Sequence, residues 1–239
     1  MKHFVSDAAQ VPSGTLSGPE EFALLFDMDG VIVEGHGADP VVHSLALEDL
    51  LEEREMDVPD RYRAPLEQYE YTDEFVAACE AVGVDPHEFY TARERYSAEH
   101  SIDRLAAGKR GVFGDVDAID RLADHAAVGL VSNNYHPTVE FVVDHHRLDA
   151  FRYVRGRDFG PDGFSRRKPN PHYLNEALDA LGVTDGLYVG DRATDVVAAE
   201  RAGIDSAFLR RDHNADADLD VDPTLEIDGL GELADLVAE

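Results

Sequence analysis

With 239 residues, 44% of them hydrophobic, the chain can fold as one large α/β domain or as a core with a smaller insert. Fifty acidic residues against 21 basic ones give a formal net charge of −29, so no basic footprint exists and nucleic acid is disfavoured as a main partner. A single cysteine, Cys79, excludes an intramolecular disulfide and any cysteine-based zinc site.

Residues 1–20 contain Pro12, Gly14, Gly18 and Pro19 without an apolar run of signal-peptide length, and they read as an N-terminal arm. The apolar run Leu24-Leu25-Phe26 then reads as a strand ending in Asp27-Met28-Asp29-Gly30. Side chains alternate faces along a strand, so Asp27 and Asp29 point the same way, and Gly30 allows the turn that brings both to one ligand. One such carboxylate can attack while its neighbour moves protons; the same pair can also be an acidic strand cap.

A turn of small residues at 34–38 precedes a helix opened by Asp39-Pro40 and running to about Arg54. Thr72 begins a second helix, stopped at Gly83, and Asp85-Pro86 opens a third to about Gly108, with Glu88 placed for a capping box. No stretch between 39 and 108 reads as a strand, so this block is expected to be an all-helical insert. From Val112 the elements alternate: helix 115–125, strand 127–131, helix 137–147, strand 151–154, helix 171–181 capped by Asn170, strand 187–189, helix 194–202 ended by Gly203, and strand 204–209. The alternation predicts an α/β fold, a Rossmann-like three-layer core with a parallel sheet, plus the inserted all-helical cap domain. The expected division is an arm at 1–20, a core at 21–36 and 110–239, and a cap at 37–109. Ligands of such sheets bind outside the carboxyl ends of the strands.

Three later strand ends carry polar chemistry. Val128 to Val131 leads into Ser132-Asn133-Asn134, whose hydroxyl and turn amides suit phosphate oxygens. Leu187 to Val189 leads into Gly190-Asp191, with Asp195 four residues on, and Lys168 stands before a proline-started helix in Lys168-Pro169-Asn170-Pro171. Taken singly, Asp191 and Asp195 also suit a helix N-terminus, and Ser132 a turn.

These four segments, in this order, resemble the motifs of the haloacid dehalogenase superfamily of aspartate-nucleophile phosphohydrolases, over about residues 22–209. Arg192 departs from the pattern, since a small residue is common after that aspartate. The resemblance implies Asp27 as nucleophile, Asp29 as proton donor and acceptor, and Ser132, Asn133 and Lys168 as holders of the phosphoryl oxygens. It implies Mg2+ bound by Asp27 and Asp191 and the Asp29 carbonyl, with Asp195 orienting Lys168 or a ligated water. The activity implied is a Mg2+-dependent phosphatase for a small phosphorylated metabolite, phosphoglycolate or a sugar phosphate, acting through an aspartyl-phosphate. The alternatives are a phosphomutase of the same fold and a non-catalytic phospholigand-binding protein.

Other features carry less. The series Asp216, Asp218, Asp220, Asp222 lacks the glycine and terminal glutamate of a calcium loop and reads as a solvated acidic loop. His145-His146 reads as helix C-terminal charge. Tyr62, Tyr69 and Tyr71, with Arg61 and Arg63, are expected to pack the cap's own core rather than line a pocket. Only Lys2, Lys109 and Lys168 are lysines, and so acidic a surface resembles that of cytoplasmic proteins from extreme halophiles, in which charge repulsion is screened within about 3 Å at 1 M salt. No stretch of membrane-spanning length appears, and a reducing cytoplasm, no membrane partner, and a monomer or homodimer are expected.

Overall fold

A computed structural model of the chain describes residues 21–35, 37 and 39–238; the expected arm at 1–20, together with His36 and Ala38 of the turn at 34–38, lies outside the described residues. Six strands form one parallel sheet: β1 (Ala23–Phe26), β2 (Ala127–Tyr135), β3 (Tyr153–Arg157), β4 (Gly186–Gly190), β5 (Asp205–Leu209) and β6 (Leu225–Ile227), in the order β3-β2-β1-β4-β5-β6. β1 lies at the centre, and all four of its residues are buried, as a strand covered on both faces requires.

The period-two alternation of β1 divides the core. Leu24 and Phe26 join Val128, Leu130, Val139, Ile119 and Leu230 on one face, whereas Ala23 and Leu25 join Tyr173, Leu174, Tyr188 and Ala198 on the other. The first face is covered by α5 (Ala118–Ala123), α6 (His136–His146) and α10 (Leu230–Val237), the second by α8 (His172–Leu181) and α9 (Ala193–Ala202). α7 (Gly160–Ser165) is a short turn of helix beyond β3.

Residues 39–108 carry four helices and no strand: α1 (Val41–Glu53), α2 (Asp60–Glu67), α3 (Asp73–Val82) and α4 (Pro86–Ala106). These helices enclose a separate apolar cluster with Leu47, Leu50, Phe75, Phe89 and Tyr90 at its centre, and Tyr62 and Tyr71 pack against it. The caps follow local chemistry. Thr72 Oγ1 accepts from Phe75 N at 3.1 Å, Asp85 Oδ1 accepts from Glu88 N at 2.8 Å, and Gly83 closes α3 at φ 81°. Glu88 does not complete the expected capping box: its exposed carboxylate accepts from Arg54 Nη2 at 3.1 Å. The two connections to the sheet run side by side, with Glu34 N donating to Gly111 O and Phe113 N to Ile32 O, both at 2.9 Å.

Three helices and one strand were not expected. α2 buries only Leu66 and contains Pro65, so no apolar period marks it. α7 is built around Gly160 and Gly163, and β6 is a three-residue edge strand. α10 carries Leu230, Leu233 and Ala234 at helical spacing, a pattern present in the sequence but not used. β2 runs on to Tyr135, four residues past the expected end at Val131. Among the described residues no helix is long and apolar enough to cross a membrane.

Candidate active site

Strand register gathers the polar residues. Phe26 aligns with Leu130 and Val189, so Asp27 lies one residue, and Ser132 and Asp191 two residues, beyond the same row at the carboxyl end of the sheet. Asp27 N still donates to Val189 O at 2.9 Å, which ties the first turn residue to β4. Gly30 is at φ +83°, and a Cβ there would lie 2.1 Å from Asp191 Oδ2. Glycine is therefore demanded both by backbone conformation and by the close approach of the two acidic segments.

Asp27, Asp29, Ser132, Lys168, Asp191 and Asp195 are all buried. Lys168 Nζ lies 3.0 Å from Asp27 Oδ1 and 2.8 Å from Asp195 Oδ1, and it also donates to the Tyr188 hydroxyl. Burial opposes the charge on Lys168, but the facing carboxylates of Asp195 and Asp27 outweigh it and hold the ammonium above its ordinary pKa. Asp195 Oδ2 accepts from the main-chain N–H groups of Asp191 (3.2 Å) and Arg192 (3.1 Å), so this residue braces both the lysine and the turn after β4.

The two amide ends of Asn133 clamp the Lys168 backbone: Oδ1 accepts from Lys168 N at 2.8 Å and Nδ2 donates to Lys168 O at 3.2 Å. With its side chain so engaged, a phosphate contact from Asn133 would have to come from its turn amide. Ser132 Oγ accepts from Asn134 N at 3.2 Å. Asp29 turns its carboxylate away from the other acids, accepting from Arg110 Nη2 at 2.7 Å and Asn134 Nδ2 at 3.0 Å. A share for Asp29 in holding a cation is thereby left to its carbonyl.

Carboxylate oxygens of Asp27, Asp191 and Asp195 lie within 4.8 Å of one another. Burial, reinforced by the charges of Asp27 and Asp195, pushes the Asp191 carboxyl up to about 8. Asp191 Oδ1 is buried without a hydrogen-bond partner, whereas Oδ2 is 2.7 Å from His213 Nε2. An all-oxygen cluster with one unsatisfied buried oxygen fits a hard divalent cation such as Mg2+.

A cavity of about 510 Å3 opens over Asp27, Asp29, Ser132, Lys168 and Asp195 and is closed on the far side by Pro40, His43, Gln68 and Tyr69 of the helical segment. Tyr69 therefore lines the cavity, contrary to the packing role expected for it, and its ring lies 5.5 Å from that of His43. The acidic residues Asp216, Asp218 and Asp220 are exposed, as expected. Sequence reasoning missed Tyr188, Arg110 and His213, and it gave Asn134 only as part of a turn, without its side-chain bond to Asp29. Tyr188 pairs with Leu25, two residues before Asp27, so the register between β1 and β4 places it on the Lys168 side; Arg110 and His213 carried no local signal.

A sequence model described as haloacid dehalogenase-like hydrolase matches residues 23–203. Phosphoglycolate phosphatase of Aliivibrio fischeri is 34% identical over 107 residues, covering 43% of this chain and 46% of that protein. Phosphoglycolate phosphatase 1 of Pseudomonas aeruginosa is 30% identical over 154 residues, covering 61% of this chain and 53% of that protein. The chain thus spans about half the length of the curated relatives it matches. The crystal structure of CbbY from Rhodobacter sphaeroides in complex with phosphate superposes with a TM-score of 0.56 at 19% identity, covering 88% of this chain and 95% of that one, a likeness of fold. The match over most of the chain, on a sheet of this topology, shows that the protein belongs to the haloacid dehalogenase-like hydrolase family.

Proposed function

We propose that this protein is a Mg2+-dependent phosphatase that hydrolyses a small phosphorylated metabolite, of the phosphoglycolate or sugar phosphate class, through an aspartyl-phosphate. The observation that carries the reading is Lys168 Nζ held between Asp27 and Asp195, at 3.0 and 2.8 Å, beside an Asp191 oxygen with no partner. Phosphoglycolate is favoured within the class by the relatives that match residues of this chain at 30% identity or more.

An oxygen of Asp27 attacks phosphorus in line with the leaving group; the P–O ester bond breaks as the Asp27–phosphorus bond forms. Asp29 gives a proton to the departing alkoxide, then takes one from the water that cleaves the acyl phosphate, releasing inorganic phosphate and regenerating Asp27. Arg110 and Asn134 orient Asp29 for both transfers. Lys168, Ser132 Oγ and the turn amides after β2 hold the equatorial oxygens, and Lys168 offsets the repulsion between a carboxylate and a dianionic phosphate. Asp27, Asp191 and the Asp29 carbonyl would hold Mg2+, which when bound supplies further positive charge to the phosphoryl oxygens. The helical segment over the cavity would act as the cap that excludes bulk water.

Release of inorganic phosphate from 2-phosphoglycolate and a panel of sugar phosphates, with Mg2+ in low and molar KCl, tests this. Turnover abolished by EDTA and restored by Mg2+ is the expected result. A panel in which no ester is hydrolysed at either salt concentration overturns the reading.

A further inference from the structure

Asp191 presents two unequal oxygens: Oδ1, buried and without a hydrogen-bond partner, and Oδ2, 2.7 Å from His213 Nε2. The imidazole belongs to a turn that follows β5 and grips both acidic segments of the site. Next to it, buried Asn214 donates through Nδ2 to the carbonyls of Asp191 (2.9 Å) and Leu209 (3.0 Å), while its Oδ1 accepts from Arg211 N at 2.7 Å. Arg211 in turn makes two 2.9 Å bonds to Asp115 and donates to Val31 O at 3.2 Å, one residue past Gly30. One turn thus fastens the backbone of the first motif, the backbone of the fourth and the carboxylate of Asp191.

A carboxylate free to rotate has another partner close by, since Arg192 Nε lies 3.8 Å from Asp191 Oδ1. Rotation toward that guanidinium would disturb the oxygen cluster that Asp191 forms with Asp27 and Asp195. We propose that His213 is a positioning residue for the cation site. With the cation bound and Asp191 ionised, an acceptor only, the His213 Nε2–H donates to its Oδ2 and so holds Oδ1 toward the cation against the pull of Arg192. Asn214 supports the same geometry from the main chain. The inference rests on the reading of Asp191 as a cation ligand.

Isothermal titration calorimetry of Mg2+ into the full-length wild-type, H213A, H213Q and D191N proteins tests it, alongside thermal unfolding without metal and kcat at saturating Mg2+. Hydrogen-bonding partners of metal ligands are typically worth 10- to 100-fold in affinity, so H213A is expected to weaken Mg2+ binding by about that factor while kcat at saturating Mg2+ stays within about threefold. H213Q, which keeps an N–H donor, is expected to recover most of the affinity with the same metal-free melting temperature. Unchanged affinity in H213A overturns the proposal, as does a loss that tracks a fall in metal-free stability and that H213Q does not recover. If H213A fails to fold, H213F, which fills the space without an N–H, gives the same contrast with H213Q. Wild-type binding that D191N leaves intact overturns the ligand assignment itself, a failure distinct from one confined to His213.

Discussion

Two buried charge clusters border the same cavity, and they are of opposite sign. At the sheet, Asp27, Asp191 and Asp195 face one lysine; at the junction with the helical segment, Arg93 and Arg157 face one glutamate, Glu94. Each cluster suppresses the charge of a neighbour. Burial beside the acids pushes Asp191 up to about 8, and burial beside Arg93 and Arg157 pulls His43 down to about 4.

The clusters differ in how their excess is relieved. Arg93 Nη1 donates to the carbonyls of Leu66 and Gln68, and its guanidinium lies 4.9 Å from the centre of the Tyr90 ring. Arg157 donates to Glu94 and to Asp158 O and lies 4.6 Å from the Tyr135 ring, while Glu94 Oε2 also accepts from Gly160 N at 2.6 Å. Carbonyls, a carboxylate and ring faces engage these guanidiniums from within the protein, although Arg93 Nε and Nη2 and Arg157 Nε have no hydrogen-bond partner among the described residues. Asp191 Oδ1 has no hydrogen-bond partner, and its charge can be relieved by a proton or by a bound cation. The Arg157–Glu94 pair ties α4 to the end of β3, whereas the acidic cluster, in the function proposed above, holds the reacting groups.

That contrast can be broken from either side. In the acidic cluster, D27N should lower kcat/KM by at least about a thousandfold with the circular dichroism spectrum unchanged, because the proposed nucleophile is lost and the lysine keeps Asp195. In the arginine cluster, removing one partner leaves a charge buried and unpaired, so E94A should cost about 3–5 kcal/mol by urea denaturation, with E94Q costing less. An E94A protein as stable as the wild type would show that Arg157 is satisfied without Glu94.

The pH dependence should differ in sign between the two. Metal-free protein binds a proton at Asp191 that the unfolded chain has released, so this contribution to stability is full below about pH 4 and falls as pH rises toward 8; saturating Mg2+ should flatten the decline. Unfolded His43 binds a proton that the folded protein refuses, so its contribution is full above pH 6.5 and is lost as pH falls toward 4, and H43N should remove it. Denaturation midpoints across this range, with EDTA or Mg2+, separate the two slopes. The smallest effect is the global one: with a net charge of −29, stability should rise by a few degrees in melting temperature between low salt and molar KCl, which thermal unfolding in a KCl series measures. No gain would dissociate the acidic surface from any need for salt.

Much of the candidate site was legible because its polar residues sit where strands end. Asp27, Ser132 and Asp191 follow apolar runs, and Lys168 precedes a proline-started helix, so pattern and position agreed. The partners that orient these residues were not legible. Arg110 reaches Asp29 from 81 positions away, and His213 reaches Asp191 from 22. Such a contact depends on how two connections are laid against each other, which no local period records. Tyr69 went the wrong way for a related reason: an aromatic beside arginines suits a core or a cavity wall equally, and only the packing of α1 against α4 leaves its face open toward His43.

The order of elements, the two-faced central strand and the residue types at its carboxyl end were determined by the sequence alone, because hydrophobic period and turn chemistry act over a few residues. Tertiary structure decided which buried charges were satisfied within the protein and which were not. Asp191, Asp195, Glu94 and Arg157 are alike in the sequence as ionisable residue types, yet only the fold buries them, gives Arg157 a ring and a carboxylate while leaving its Nε without a partner, and leaves Asp191 Oδ1 with no donor. Hydrogen-bond satisfaction is a property of positions within about 3 Å, and those positions are set by the whole chain.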